Sequence, residues 1–130
     1  YDQGGGDVDS RHNYFYPLRI RPGGRTVALS EYGGIAWPMP GHEPPGKTYG
    51  YGTAKDKADL TKRYKMLQWK TILPQLGRGL SALVYTQLTD VEDEVNGLFT
   101  YDRAALKPEA AAVRSCNAAL AAEFAKVTAK

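Results

Sequence analysis

Val27-Ala28-Leu29-Ser30-Glu31-Tyr32-Gly33-Gly34 is a short apolar run that ends in one carboxylate and two glycines. An apolar run of this length reads as a buried strand, so the charge at its tip is the exception that asks for a reason. Delivering a single Glu to the carboxyl end of a buried strand is how a (β/α) barrel presents a catalytic group. The glycines let the backbone turn sharply and are expected to leave open space beside the carboxylate. The rival reading is a strand end whose Glu is simply solvated.

The 130 residues suit one domain at most. With 42% apolar and 11% aromatic residues the chain has enough for a packed core, which excludes a disordered segment. Nine tyrosines and two tryptophans are the notable excess, and rings with a polar edge suit surfaces that stack on sugars. The 17 basic residues are scattered and the net charge is only +3. No basic stripe interleaves with aromatics, so no nucleic-acid partner is expected. No run is long enough for a membrane span, so no membrane partner is expected either. A single cysteine excludes an internal disulfide and multi-cysteine metal sites. Cys116 falls at helical spacing with Val113, Leu120 and Phe124 and reads as a small core residue. No signal peptide is read at the start of the chain. The opening Tyr1-Asp2-Gln3, without Met, leads us to expect a piece of a longer protein.

Outward from the opening stretch, Val8 to Tyr16 reads as a short strand flowing into a loop stopped by Pro17. Residues 33 to 53 are rich in glycine and proline, a length of irregular chain that usually serves a function. Asp56 to Ile72 predicts an amphipathic helix, with Leu60, Tyr64, Leu67 and Thr71 on one face and Thr53 or Asp56 as cap. Pro74 and Gly77 are expected to close it. Leu80 to Gln87 is a second buried strand, followed by the acidic loop Asp90 to Gly97 and a short extended return over Leu98 to Arg103. Pro108 to Val127 predicts the last helix, with Pro108 in its first turn. Strand, strand, helix, strand, helix is an α/β order implying parallel strands. Two main helices cannot cover both faces of a parallel sheet, so the architecture reads as incomplete.

Three separated motifs carry a resemblance: Ser30-Glu31-Tyr32-Gly33-Gly34, the run from Tyr85-Thr86-Gln87 through Asp90-Val91-Glu92-Asp93-Glu94-Val95-Asn96-Gly97-Leu98, and Thr100-Tyr101-Asp102-Arg103. Together they resemble the end of the catalytic barrel of glycoside hydrolase family 2, the β-galactosidase, β-glucuronidase and β-mannosidase family. Asp9-Ser10-Arg11-His12-Asn13-Tyr14 is similar to the segment before the nucleophile strand in those proteins. The resemblance implies a partial (β/α)₈ barrel, with residues 1–130 as its C-terminal part and its strands as the sixth to eighth. It implies a retaining glycosidase that cleaves a terminal β-linked sugar, with Glu31 as the nucleophile. Such enzymes pair the nucleophile with a second carboxylate that protonates the leaving group and later activates water. In the family this belongs to an Asn-Glu pair, and no such dipeptide occurs here. The chain is therefore expected to be inactive alone and to partner the N-terminal remainder of the enzyme.

By the same resemblance His12 and Tyr14 would approach the sugar or hold Glu31, and Tyr85 would form an aromatic floor. Trp37 would make a pocket wall, and Gln87 and Asp90 would bond sugar hydroxyls. A core tyrosine at position 85 and a structural histidine at position 12 are the rival readings. No cofactor is expected and no metal-ligating residue is assigned, which leaves the metal requirement open; a periplasmic or secreted setting is compatible with the family. Open strand edges suggest a homo-oligomer. The alternative class of function is a non-catalytic carbohydrate-binding or interaction module.

Two other patterns weigh less. Gly41-His42-Glu43-Pro44-Pro45-Gly46-Lys47-Thr48 fits a nucleotide-binding P-loop by letter, but two prolines remove donors inside it and no strand precedes it. Asp90, Glu92, Asp93 and Glu94 lack the ligand spacing of an EF-hand, and Asp7, Asp9 and His12 are too few for a metal site.

Overall fold

The computed structural model describes residues 2–129. Its sheet has three parallel strands in the order β1-β2-β3: β1 (Val8–Asn13), β2 (Thr26–Gly33) and β3 (Leu80–Thr86). The opening stretch is the central strand, as its apolar run requires. α1 (Lys57–Met66) follows the long loop after β2, and the helical rod continues through a π-helical stretch (Leu67–Ile72) into α2 (Leu73–Leu76). α3 (Ala110–Thr128) ends the described chain. The order strand, strand, helix, strand, helix is the expected one. The connection from β1 to β2 carries no helix.

All the helical cover lies on one face of the sheet. Val27, Leu29, Tyr32 and Leu80 pack there against Leu67, Ile72 and Leu76, with Ile20 closing one end. Leu120 and Val127 of α3 reach the same core, and Cys116 is buried as its spacing predicts. Phe124, assigned to the apolar face of this helix, is exposed instead. The opposite sheet face is open: Val8 is 47% and Val84 57% exposed. Trp37, Ala54 and Leu60 form a second small cluster under the long loop.

Helix ends differ from the sequence-based limits for physical reasons. Asp56 is the cap, its carboxylate accepting from Asp59 N at 2.8 Å. Pro74 does not end the rod; Gly77 does. A proline inside a helix loses one hydrogen bond and presses its ring on the carbonyl four residues back. Here the turn before it is widened, with Leu73 N bonding Gln68 O five residues back, and widening of this kind makes room for the ring. α3 starts two residues after Pro108, and Glu109 N at its entry donates to Thr61 Oγ1 (3.0 Å), tying α3 to α1. None of the described helices is long and apolar enough to cross a membrane.

Two loops at the carboxyl ends of the strands are stitched together by backbone bonds. Trp37 N donates to Val95 O (2.9 Å), Tyr49 N to Asp93 O (2.6 Å) and Val95 N to Tyr49 O (3.0 Å). The Gly/Pro-rich segment is thus an ordered loop whose polar backbone is satisfied by its neighbour.

Candidate functional site

Glu31 owes its direction to an irregularity in β2. Along the strand Val27 and Leu29 face the helices while Ser30 bonds Ser10 Oγ (2.6 Å) on the other face. Between Leu29 and Glu31 the register with β1 slips by one residue, since Arg11 pairs Leu29 while His12 pairs Glu31. One extra residue reverses the alternation. Glu31 therefore joins Ser30 on the open side, and Tyr32 returns to the core.

The Glu31 side chain, 44% exposed, lines a cleft of about 410 Å³ at the carboxyl ends of β2 and β3. Tyr14 Oη donates to Glu31 Oε2 at 2.7 Å and stands 3.1 Å from Thr86 Oγ1, whose proton it can accept. His12 Nδ1 lies 3.3 Å from the same carboxylate oxygen. Burial is the main cause that pushes the Tyr14 phenol up to about 12; the Thr86 hydroxyl opposes it and the Glu31 carboxylate adds to it. The phenol is thus a lasting donor to Glu31 at neutral pH.

The glycines after Glu31 do not leave open space. A Cβ on Gly33 would collide with the Tyr85 ring, and one on Gly34 would sit 2.6 Å from Tyr51 and 2.9 Å from Tyr14. Both have positive φ, +101° and +65°, so glycine is required twice over. The room they give is filled by tyrosines. Tyr14 and Tyr51 stack with centroids 3.8 Å apart and planes 6° from parallel.

Across the cleft stands a second carboxylate. Glu94 Oε2 accepts from Gln87 Nε2 (3.2 Å) and from Asn96 Nδ2 (3.1 Å), and Gln87 also bonds Asn96 Oδ1 (2.7 Å). Asn96 is fully buried, so this clasp is anchored. Tyr51, whose phenol is raised chiefly by Tyr49 and by burial, feels the charges of both Glu94 and Glu31. The Thr86–Gln87 peptide at the cleft is cis.

Of the residues singled out in the sequence, Glu31, His12, Tyr14 and Gln87 come together here. Tyr85 also borders the cleft, but its ring meets Tyr32 and Tyr64 edge-on within the core, the rival reading for that residue. Trp37 is elsewhere, buried on Ala54 and Leu60. Asp90 is not free for a ligand. Its carboxylate is buried, accepting from Lys107 Nζ at 2.7 Å and from Gly97 N at 2.8 Å. Lys107 is itself fully buried and also bonds Val95 O (2.9 Å). Tyr51 and Thr86 are given no role by the sequence, and Glu94 is weighed there only as a calcium ligand; the signal for Glu94 was its two-residue spacing from Asn96, which puts both side chains on one side of an extended segment.

The rival motifs find other uses. No helix starts at Lys47, and His42 of that stretch bonds Asp102 (2.7 Å). Asp9 pairs with Arg11, and no group of metal-ligating side chains gathers among the described residues. Comparison with known proteins gave neither a matching family model nor a significant match to any curated protein.

Proposed function

We propose that this chain supplies the nucleophile half of a retaining β-glycosidase site, with Glu31 as the attacking group. The observation that carries the reading is the Tyr14–Glu31–His12 arrangement: a carboxylate at the carboxyl end of the central parallel strand, held by a phenol in a sugar-sized cleft. In this reading the three strands are the last three of a (β/α)₈ barrel of family 2 type. An uncovered face on a parallel sheet supports it, because such faces are ordinarily buried. That face would meet the remaining strands of the barrel, or a second copy of the chain in their absence. The substrate would be a terminal β-linked sugar.

The chemistry follows from the groups present. A Glu31 oxygen attacks the anomeric carbon as the bond to the leaving oxygen breaks, giving a glycosyl ester. Tyr14 fixes which oxygen is free, since Oε2 is engaged and Oε1 is left to attack. Gln87 and Glu94 would orient the sugar through its hydroxyls. With two carboxylates lining the cleft, a neutral sugar suits it better than an acidic one. The acid/base would come from outside the 130 residues, so the chain alone should not turn over substrate.

A 2-deoxy-2-fluoro-glycosyl fluoride tests this without that second group. Fluoride departs without protonation, and the glycosyl ester then persists because no base activates water. Labelling confined to the Glu31 peptide, absent in Glu31→Gln, is the expected result. Labelling that persists in Glu31→Gln, or none in the parent chain, would overturn the reading. A sugar-binding module is the second reading, favoured by the preset Gln87–Glu94–Asn96 clasp. It requires glycoside affinity that Glu31→Gln leaves intact, with no label in the parent.

A further inference from the structure

The amino ends of β2 and β3, opposite the Glu31 cleft, carry a second feature. Arg19 and Arg21, in the connection before β2, and Arg78, in the turn before β3, line one cleft of about 530 Å³. Its other lining residues are Ile20, Pro22 and two glycines, so no carboxylate faces it. Arg11, Arg25 and Arg63 each pair with an aspartate, whereas Arg19, Arg21 and Arg78, like Arg103 and Arg114, form no ion pair among the described residues; only the first three of these five share one cleft.

The cleft has a fixed base. Gln75 is buried, and its Oε1 accepts from Ile20 N at 2.9 Å, pinning the segment between Arg19 and Arg21 to the end of the helical rod. Gly79, at φ +97°, lies so close to Pro22 that an added Cβ would stand 3.3 Å from its ring. The two loops bearing the arginines therefore pack closely against each other. Arg78 N and Gly79 N are spent on Gln75 O and Leu76 O, which leaves the guanidiniums as the donors available to a ligand.

We propose that this cleft binds a phosphate-class dianion. Three exposed cationic side chains line one cleft with no carboxylate among its lining residues, which favours an anion there, and the planar guanidinium fork matches phosphate oxygens in pairs. The backbone beneath is already ordered, so binding costs little rearrangement. The site is independent of the glycosidase reading and stands whether or not Glu31 is a nucleophile.

The test is titration of the 130-residue protein with inorganic phosphate at low ionic strength and about pH 8, where it is the dianion, followed by the arginine Nε–Hε signals in nitrogen–proton correlation spectra. Saturable shifts confined to Arg19, Arg21 and Arg78 are expected, with affinity falling at least tenfold in Arg21→Gln or Arg78→Gln. Lys62→Gln, on the far rod surface, should match the parent. A parallel arm with glucose 6-phosphate separates a phosphate borne on an organic group from the free anion; saturable binding of either at these arginines supports the site. Unsaturable shifts reproduced by sodium chloride at equal ionic strength would overturn it. Unchanged affinity in the triple glutamine variant would do the same.

Discussion

The Tyr14 hydroxyl meets Glu31 Oε2 at 2.7 Å across seventeen residues of sequence, and Tyr14 stacks face to face on Tyr51. One ring thus couples the carboxylate to the long loop. Tyr14→Phe keeps the stack and removes the bond. It should cost about 1–2 kcal/mol in denaturant unfolding. Fluoroglycoside labelling of Glu31 should slow by about tenfold, equivalent to ~1.4 kcal/mol in the barrier. A variant that labels at the parent rate would show that the phenol does not position the carboxylate.

Gly34→Ala should be more harmful than its one methyl suggests. The new Cβ would press on both stacked rings, and φ of +65° is unfavourable for alanine. A loss of about 1–3 kcal/mol is expected from strain and overpacking. Near-ultraviolet circular dichroism should weaken as the stack is displaced, and an unchanged spectrum would contradict the packing described.

Lys107→Met leaves Asp90 buried with its principal counter-charge gone. Breaking a buried pair in this way should cost about 3–5 kcal/mol, measured by urea unfolding. Adding Asp90→Asn removes the stranded charge while keeping an oxygen for Gly97 N, so the double variant should recover much of the loss. If the double variant is as unstable as the single one, charge is not what the pair contributes.

Alkali should unfold the protein through its tyrosines. Burial raises the phenols of Tyr16, Tyr32, Tyr64 and Tyr85, and that of Tyr14 to about 12, from an ordinary value of 10.0. The folded state then keeps protons that the unfolded chain releases, so stability is intact below pH 10 and falls as pH rises above it. For Tyr14 the fall continues to about pH 12. Thermal midpoints across this range check the direction, and a midpoint that holds steady above pH 10 would contradict it.

Leu80 to Thr86 does form a strand, but the expectation that it is buried fails: only Leu80 is fully buried, because β3 lies at the edge of a sheet covered on one face. β2 was legible because a central strand buried in a parallel sheet leaves a continuous apolar run, as in Val27 to Leu29. Glu31 stood out for the same reason, as the charge that such a run does not explain. Its direction was not legible, since the slipped register that turns it to the open side depends on pairing with β1. Trp37 and Asp90 lie near the strand ends in sequence order, but side-chain packing draws them away from the cleft. Trp37 found Ala54 and Leu60, and Asp90 found Lys107, seventeen residues on. Pro74 read as a stop because the widened turn before it leaves no mark in composition.

The backbone bonds from Trp37 and Tyr49 to the segment Asp93–Val95 have a kinetic meaning. Neither rim of the Glu31 cleft can lift without breaking bonds to the other, so amides on both should exchange with deuterium at a common rate, as one cooperative unit. Admission to the cleft would then be a matter of its standing aperture, with no flap to rise and fall.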